Sequence, residues 1–572
     1  MSWILGVLSA NLHQHDISRI AEASVLHATR TPSLSLFAGG SHATCLVDSA
    51  KDTTSGWIVV GLGIKLREEH TSILAQQEWH ALLSKQKPDL DDVDGHFVAV
   101  RWTDNRVECF SDRLGLRELY FCSIPGGIVF STRVDWVSEL ANLHELDFQT
   151  FGVRWLAFNQ FSYRSPILGI QRLGPHGRAT FTLQGIEHAN RVWEPSACDG
   201  DGHRFEHVLQ AFTDPKFREA KTVSVGLSGG IDSRLLLALT LNSERKPVAH
   251  TFGSPQDPDV IVATKIAGAL HLDHHVYDEP LPEASQCIVL AKEFAAQTIL
   301  KEPASGGIRF RYYEKLAASG RVVVDGAFGE VLRRQYYNRL LWVGRDRVLR
   351  LSHRQLLPFL QAPRVDIFSD EAKESMMRGF EREVEYMKDL LRLTQHLPFE
   401  DALDILAVQA RIPNYAGAEQ ARMDSFGICY MPFCQPTIFD AGLALPLSQR
   451  RNGRLLKEII RSCQPKLARF PLAQGGSTSP FWFSTTARIL TRRAKIKLGR
   501  GFVDTTTHDF LHHVREFVRD QARSTCVTSF GMYDGKKIQS LVETYYRGEQ
   551  GFAHQLDWWL GFELWRQSMK LH

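Results

Sequence analysis

The sequence predicts a mixed α/β protein built from two domains, residues 1–200 and 201–572. Three observations carry that reading. Residues up to about 195 contain short, alternating apolar runs bounded by turn residues, the pattern of a β-rich domain. Residues 196–203, SACDGDGH, turn small and polar, as a linker does. After them, short apolar runs alternate with helical periodicities, which implies a parallel sheet covered by helices on both faces. At 572 residues the chain also exceeds what one core can organise.

In chain order, the first domain is expected to hold strands over 56–66 (GWIVVGLGIKL), 95–102 (GHFVAVRW), 106–110 and 127–131. The second opens with a buried strand over 223–227, followed by a helix through Leu235, Leu236, Leu239 and Leu241. A strand over 248–252, a helix over 258–270 and a short strand before Tyr277 come next. Then follow a helix over 285–300 and a strand over 321–325 (RVVVD). Beyond Tyr336 the pattern is mostly helical to the end, and no internal repeat is found.

Composition narrows the class. The chain is 44% apolar and 23% charged with a net charge of +3, which gives no electrostatic reason to expect nucleic acid as a partner. No apolar run reaches membrane-spanning length, and the opening MSWILGVLSA lacks the basic n-region of a signal peptide. Nine scattered cysteines without a CxxC pair argue against a disulfide framework or zinc site, so a cytoplasmic location is expected. One basic, acid-free stretch spans 481–501, with Arg488, Arg492, Arg493, Lys495, Lys497 and Arg500. It reads either as a solvated helix face or as a surface for an acidic or peptide partner.

The most informative segment is 223–239, VSVGLSGGIDSRLLLAL. Two glycines between strand and helix let the backbone approach an anion, and the free N–H groups at the helix start point toward it. Ser228 and Ser233 add hydroxyl donors, and Asp232 suits Mg²⁺. An ordinary N-capped turn is the plainer alternative. The lysine of GxxxxGK[ST] is missing, which suits the loop to holding a departing pyrophosphate. In this respect SGGIDS resembles the PP-loop of ATP pyrophosphatases.

Further motifs extend the resemblance. Val93-Asp94-Gly95-His96-Phe97 is similar to LDGxF, and 112–121 (DRLGLRELYF) is similar to RDxxGxxPLYY with Ser111 and Glu118 departing. Phe130-Ser131-Thr132, 170–177 (IQRLGPHG) and 192–195 (VWEP) follow in order. Thr251-Phe252-Gly253, 326–330, Met431-Pro432-Phe433 and Leu455-Leu456-Lys457-Glu458 continue the series. In this set and order the chain resembles the asparagine synthetase superfamily. That resemblance implies an N-terminal nucleophile-type β sandwich followed by a PP-loop synthetase domain using ATP and Mg²⁺. It further implies nucleotide contacts from Leu227, Ser228, Gly229, Gly230, Asp232, Ser233, Phe252, Asp325 and Gly326. Asp232 and Glu330 would hold the metal, and Arg454 or Lys457 would replace a catalytic lysine whose position falls on Gly453.

The departures shape the expected function. Ser2 stands where glutamine-using relatives carry a nucleophilic cysteine, and RGPD and NGEIYN have no counterpart. The first domain is therefore expected to be an inactive scaffold. Ala327 replaces a glutamate, and 429–435 (CYMPFCQ) lacks the charges of EVRVPFLD, which reads as an apolar pocket. Arg333 and Arg334 are placed on a helix starting near Glu330, one facing ligand and one facing solvent. Tyr312 and Tyr313 are candidate bases. The members without the cysteine, such as β-lactam synthetase, carbapenam synthetase and lasso-peptide cyclase, close rings. The expectation is an AMP-forming ligase joining a carboxylate substrate to an amine, in particular a macrolactam synthetase acting on a ribosomal precursor peptide. A leader peptidase and a leader-binding protein would then be partners. An ammonia-using ligase and a non-catalytic nucleotide- or partner-binding descendant are the alternatives.

Overall fold

Alternate residues of the first strand, β1 (Trp3–Ser9), enter two different cores. Ile4 and Leu8 face one, and Trp3, Leu5 and Val7 face the other. A strand buried on both faces needs a layer on each side, and the computed structural model of the chain supplies both. It describes residues 2–11, 25–48, 54–67, 70–103, 105–196, 200–213, 222–242, 246–299, 301–424, 426–498, 502 and 504–571. Part of the expected linker and Arg500 of the basic stretch lie outside the described residues.

The N-terminal strands continue as β2 (Val25–Arg30), β3 (Leu34–Gly39), β4 (Cys45–Val47), β5 (Gly56–Leu66), β6 (Thr71–Ile73) and β7 (Asp94–Thr103). They end with β8 (Arg106–Ser111), β9 (Tyr120–Ile124), β10 (Gly127–Ser131), β11 (Gln171–Arg172), β12 (Arg178–Thr182) and β13 (Gly185–Ala189). Two antiparallel sheets result, in the orders β11-β9-β10-β1-β3-β2 and β13-β12-β8-β7-β5-β4, with β6 beside β5. Ile4, Leu36, Phe121 and Phe130 of the first sheet meet Ile58, Val60, Val98 and Phe181 of the second. Outside the second sheet, Trp79 and Leu83 of helix Gln76–Leu83 cover Trp57, Val59 and Phe97. Outside the first, helices Val134–Ala141 and Phe148–Leu156 cover Trp3, Leu5 and Val129. The expected strands over 56–66 and 127–131 appear with those bounds.

The second zone holds the expected parallel sheet: β14 (Val223–Gly226), β15 (Val248–Phe252), β16 (His274–Tyr277), β17 (Val322–Val324) and β18 (Cys429–Tyr430). All its pairings are parallel, in the order β16-β15-β14-β17-β18. The chain thus runs outward from β14 on one side and then returns to β17 on the other. The strand order therefore reverses at β14, and the loops after β14 and β17 border the crevice that such a switch point forms at the carboxyl ends of the strands. Helix Pro258–Leu270 has the predicted bounds, with Asp257 capping it.

Two of the core clusters draw residues from both zones, so the zones are packed against each other. The C-terminal helices Thr506–His513, Arg515–Arg523, Gly535–Tyr546 and Ala553–Ser568 pack their Phe510, Val518, Tyr545 and Trp559 onto the outer layer of the first sheet. Ion pairs reinforce the junction. Arg113 pairs with Asp94 at 2.8 Å and Asp440 at 3.3 Å, and Asp424 takes both Arg117 at 2.7 Å and His96 at 2.8 Å. No described helix is long and apolar enough to cross a membrane, and the eight described cysteines are free thiols.

Candidate active site

Strand β14 ends at Gly226, and helix Ile231–Leu241 begins five residues later with Gly230 as its N-cap. The intervening SGG loop is internally braced. The Ser228 N–H donates to Ser233 Oγ at 3.1 Å, the Gly230 N–H to Ser228 Oγ at 3.1 Å, and the two serine oxygens lie 2.9 Å apart. The Gly229 N–H donates to the Asp259 carboxylate at 3.0 Å. An acidic side chain therefore already sits on one amide of the loop. Burial, followed by the charge of Asp257, raises the pKa of Asp259.

Across the crevice, β17 delivers Asp325 and Gly326. Asp325 Oδ1 accepts from the Ala327 N–H at 2.9 Å, which turns the chain back toward the loop. Two glycines permit the close approach. A Cβ on Gly326 would lie 3.0 Å from Ser233 N, and one on Gly329 would lie 2.5 Å from the Asp232 carboxylate. The sequence-predicted Leu227, Ser228, Gly229, Gly230, Asp232, Ser233, Asp325 and Gly326 thus converge at one crevice. Phe252 is more peripheral. Its ring packs on Tyr312 at 5.6 Å and Tyr313 at 5.3 Å, beside a 440 Å³ cavity lined by Gly253, Tyr277 and Tyr312. Tyr312 and Tyr313 are committed to this aromatic cluster, and burial raises the pKa of the Tyr313 phenol far above its usual range.

Asp232 lies at the centre of the crevice, its side chain 13% exposed. Oδ2 takes a short charge-assisted hydrogen bond from Arg333, and Oδ1 is buried without a hydrogen-bond partner. Burial raises the Asp232 pKa to about 6, with Arg333 opposing the rise and Glu330 adding to it. Glu330 lies 3.7 Å from the same guanidinium, its side chain 41% exposed. No group of three or more His, Cys, Asp or Glu suited to a metal occurs among the described residues. Mg²⁺ commonly uses only one or two carboxylates and takes its other ligands from phosphate and water. The unpaired Asp232 oxygen with Glu330 opposite fits that donor set.

The helix expected to start near Glu330 is absent. Residues 327–334 form successive turns, with Phe328 and Arg334 at φ of 69° and 57°. Glycine-bounded, tightly apposed backbone cannot wind into a regular helix here. The turns aim Arg333 into the crevice and Arg334 into the core, where it meets Asp404 at 3.4 Å; it is not the surface residue the sequence suggested.

The candidate lysine replacements also separate. Arg454 is 68% exposed and pairs with Glu458 at 3.0 Å one turn along its own helix, so it stands outside the cluster. Its position on the first turn of helix Arg454–Cys463 points it to solvent, whereas Lys457 faces inward. The Lys457 Nζ donates to the Phe483 carbonyl at 2.9 Å. Burial lowers its pKa to about 8, and the charges of Arg488 and Arg333 contribute.

Sequence reasoning missed two contributing side chains, Arg488 and Arg234. Arg488, counted within the basic stretch, is buried on helix Thr485–Lys497 close enough to feel the charges of Arg333, Asp232 and Asp259. The solvated-face reading fails for this residue, and Phe481 just before the helix, itself buried, was the available signal. Arg234 is fully buried and donates to the carbonyls of Leu467, Phe470, Pro471 and Gly229. The Ala473 N–H completes the attachment on the Gly229 carbonyl at 2.9 Å. A remote C-terminal segment thereby fastens onto the loop. Cys429, Tyr430, Met431, Phe433 and Cys434 are all within the core, so the apolar segment expected to line a pocket instead builds β18 and its continuation.

Ser2 is fully buried, with its hydroxyl bonded to Thr44 and 3.4 Å from the Ser41 carbonyl.

No curated protein matches the chain. Two solved structures overlap it weakly. One is titled "Structure of the allosteric regulatory enzyme of purine biosynthesis", with 10% identity, a TM-score of 0.23, and coverage of 49% of this chain and 82% of that one. The other is glutamine phosphoribosylpyrophosphate (PRPP) amidotransferase from B. subtilis complexed with ADP and GMP, with 8% identity, a TM-score of 0.21, and coverage of 49% and 69%. A family model described as asparagine synthase matches residues 204–295, which contain the SGGIDS loop, β15, β16 and the helix bearing Asp259. That segment is accordingly similar to the asparagine synthase superfamily of ATP-dependent amide-bond ligases.

Proposed function

We propose that the protein is an ATP-dependent, AMP-forming amide-bond ligase that works without hydrolysing glutamine. The observation that carries this reading is a buried, incompletely paired carboxylate set among cations at the glycine-rich loop. Asp232 lacks a partner on Oδ1, and the charges of Arg333 and Arg488 both reach it. Buried groups of this kind are costly unless a ligand completes them. The Arg333–Asp232 pair, with Glu330 and Arg488 beside it, offers carboxylate oxygen and guanidinium charge together, a set that suits a metal-bound polyphosphate.

A carboxylate oxygen of the substrate attacks the α-phosphorus of ATP, and the bond from that phosphorus to the bridging oxygen breaks. Pyrophosphate leaves with the electron pair. Backbone N–H groups at the start of helix Ile231–Leu241 and the guanidiniums of Arg333 and Arg488 stabilise the charge that develops on it. Mg²⁺ held by Asp232 and Glu330 would supply further charge neutralisation. An amine then attacks the activated acyl carbon, AMP departs, and the ammonium proton passes to a base.

The buried, hydrogen-bonded Ser2 supports an N-terminal domain that serves as a scaffold. Within the ligase class, we favour macrolactam closure on a ribosomal precursor peptide in a reducing cytoplasm, with a leader peptidase and a leader-binding protein as partners. The test is to incubate the protein with Mg·ATP, first with aspartate plus ammonium. Peptides carrying a free N-terminus and a side-chain acid form the second arm. AMP and pyrophosphate released with an acid support the ligase. Retention of ATP with no turnover leaves a nucleotide-binding protein, and release of ADP refutes the mechanism.

A further inference from the structure

Position 453 presents an unusual combination. Gly453 has φ +62°, the left-handed region, and forms the N-cap of helix Arg454–Cys463. A Cβ built there would lie 3.0 Å from Arg333 Cδ, 3.2 Å from Arg333 Cγ and 3.2 Å from Ile231 Cδ1. The volume a side chain at 453 would enter is therefore filled by the stem of Arg333. That stem continues to a guanidinium bonded to Asp232, with its side chain only 7% exposed and its Nε unpaired. Arg333 reaches the site from the turns after β17, and its stem packs directly against Gly453.

We propose that Arg333 is a pyrophosphate-binding cation of the crevice, and that Gly453 is required because Arg333 occupies the side-chain volume at that position. This rests on the ligase reading and adds the reason for glycine at 453. Arginine suits the role. Its planar fork holds Asp232 with one nitrogen and carries further N–H donors for a phosphate oxygen, which a single ammonium group arranges less well. Arg488 brings a second guanidinium charge, and Lys457 contributes charge from the side, its ammonium already bonded to the Phe483 carbonyl. Arg333 thus links the acidic half of the crevice to the half that receives the anion.

Calorimetric titration with inorganic pyrophosphate and, separately, with Mg·ATP tests the proposal. R333A should weaken pyrophosphate binding about 10- to 100-fold, the loss expected for one charge-assisted hydrogen bond. R333Q retains most of the packing on Gly453 and should weaken it to a similar degree, while R333K should recover part of the loss. G453K should displace Arg333 and also weaken binding. The double variant R333A/G453K, with the volume vacated, should bind more tightly than R333A. Unchanged affinity in R333A and R333Q overturns the proposal, as does a double variant no better than R333A. Loss of fold in both R333A and R333Q, read by circular dichroism, would make Arg333 a structural partner of Asp232 and overturn it too. Wild-type protein that binds neither probe refutes the ligase reading instead.

Discussion

Replacing Arg234 with methionine should detach the C-terminal segment from the SGG loop while leaving the N-terminal sheets intact. The fully buried guanidinium donates to Leu467 O at 3.1 Å, Phe470 O at 2.9 Å, Pro471 O at 2.8 Å and Gly229 O at 3.2 Å. Burial, followed by the charge of Arg488, lowers its pKa to about 10, so the group remains charged at neutral pH. Methionine retains much of the apolar volume but leaves four carbonyls without this donor. Leaving a buried acceptor without its donor costs about 1–3 kcal/mol, so with several of the four carbonyls affected the loss is about 3–5 kcal/mol. Through 1.36 kcal/mol per decade, that corresponds to about two to four orders of magnitude in local opening. Hydrogen exchange followed by mass spectrometry should show it in the hairpin of strands Leu472–Gln474 and Ser477–Ser479 and at the loop. The Ala473 N–H on Gly229 O is the most direct reporter, with β5 and β7 as unaffected controls. If the hairpin exchanges at the wild-type rate, Arg234 is not what fastens it, and the reasoning fails.

Asp232→Ala should abolish AMP formation, assayed by chromatography of the nucleotide products; retained activity would remove Asp232 from the metal site. Incubation with glutamine should release no more ammonia from the wild type than from Ser2→Ala, given the buried hydroxyl. The third prediction concerns acid. His250 Nδ1 lies 2.9 Å from Ser224 Oγ, and burial, aided by His274 and His275, lowers its pKa from 6.5 to about 3. The unfolded chain then takes a proton that the folded chain refuses. This contribution is fully present above pH 6.5 and is lost as pH falls toward 3, by about 2 kcal/mol at pH 5. His250→Gln should flatten that part of the acid dependence in urea unfolding between pH 7 and 5, and an unchanged dependence would contradict it.

Legibility in the sequence followed the reach of each interaction. Strands β5 and β10 and helix Pro258–Leu270 were readable to the residue because local periodicity and a cap specify them. The SGGIDS loop was readable because glycine and serine chemistry within six residues defines it. The turns over 327–334 were not, since their course depends on Gly326 and Gly329 lying against helix Ile231–Leu241. Arg333 and Arg454 show the same limit. Both are cations near an expected cation site, and only the meeting of distant backbones points one inward and the other to solvent. Cys429–Cys434 was misread because apolar composition does not distinguish pocket lining from a buried edge strand.

The charges around the crevice explain why residues so distant in sequence must meet there. A loop carrying Asp232, with Glu330 and Asp259 nearby, would by itself repel a polyphosphate. Backbone dipoles offset only part of that repulsion. The compensating cations come from elsewhere: Arg333 from the turns after β17, Lys457 from the helix after Gly453, and Arg488 from the segment fastened by Arg234. Each is buried, so each loses hydration and interacts strongly with a charge placed among them. On the proposed function, loop geometry alone is therefore insufficient for anion binding, and the attached C-terminal segment belongs to the proposed phosphate site as much as SGGIDS does.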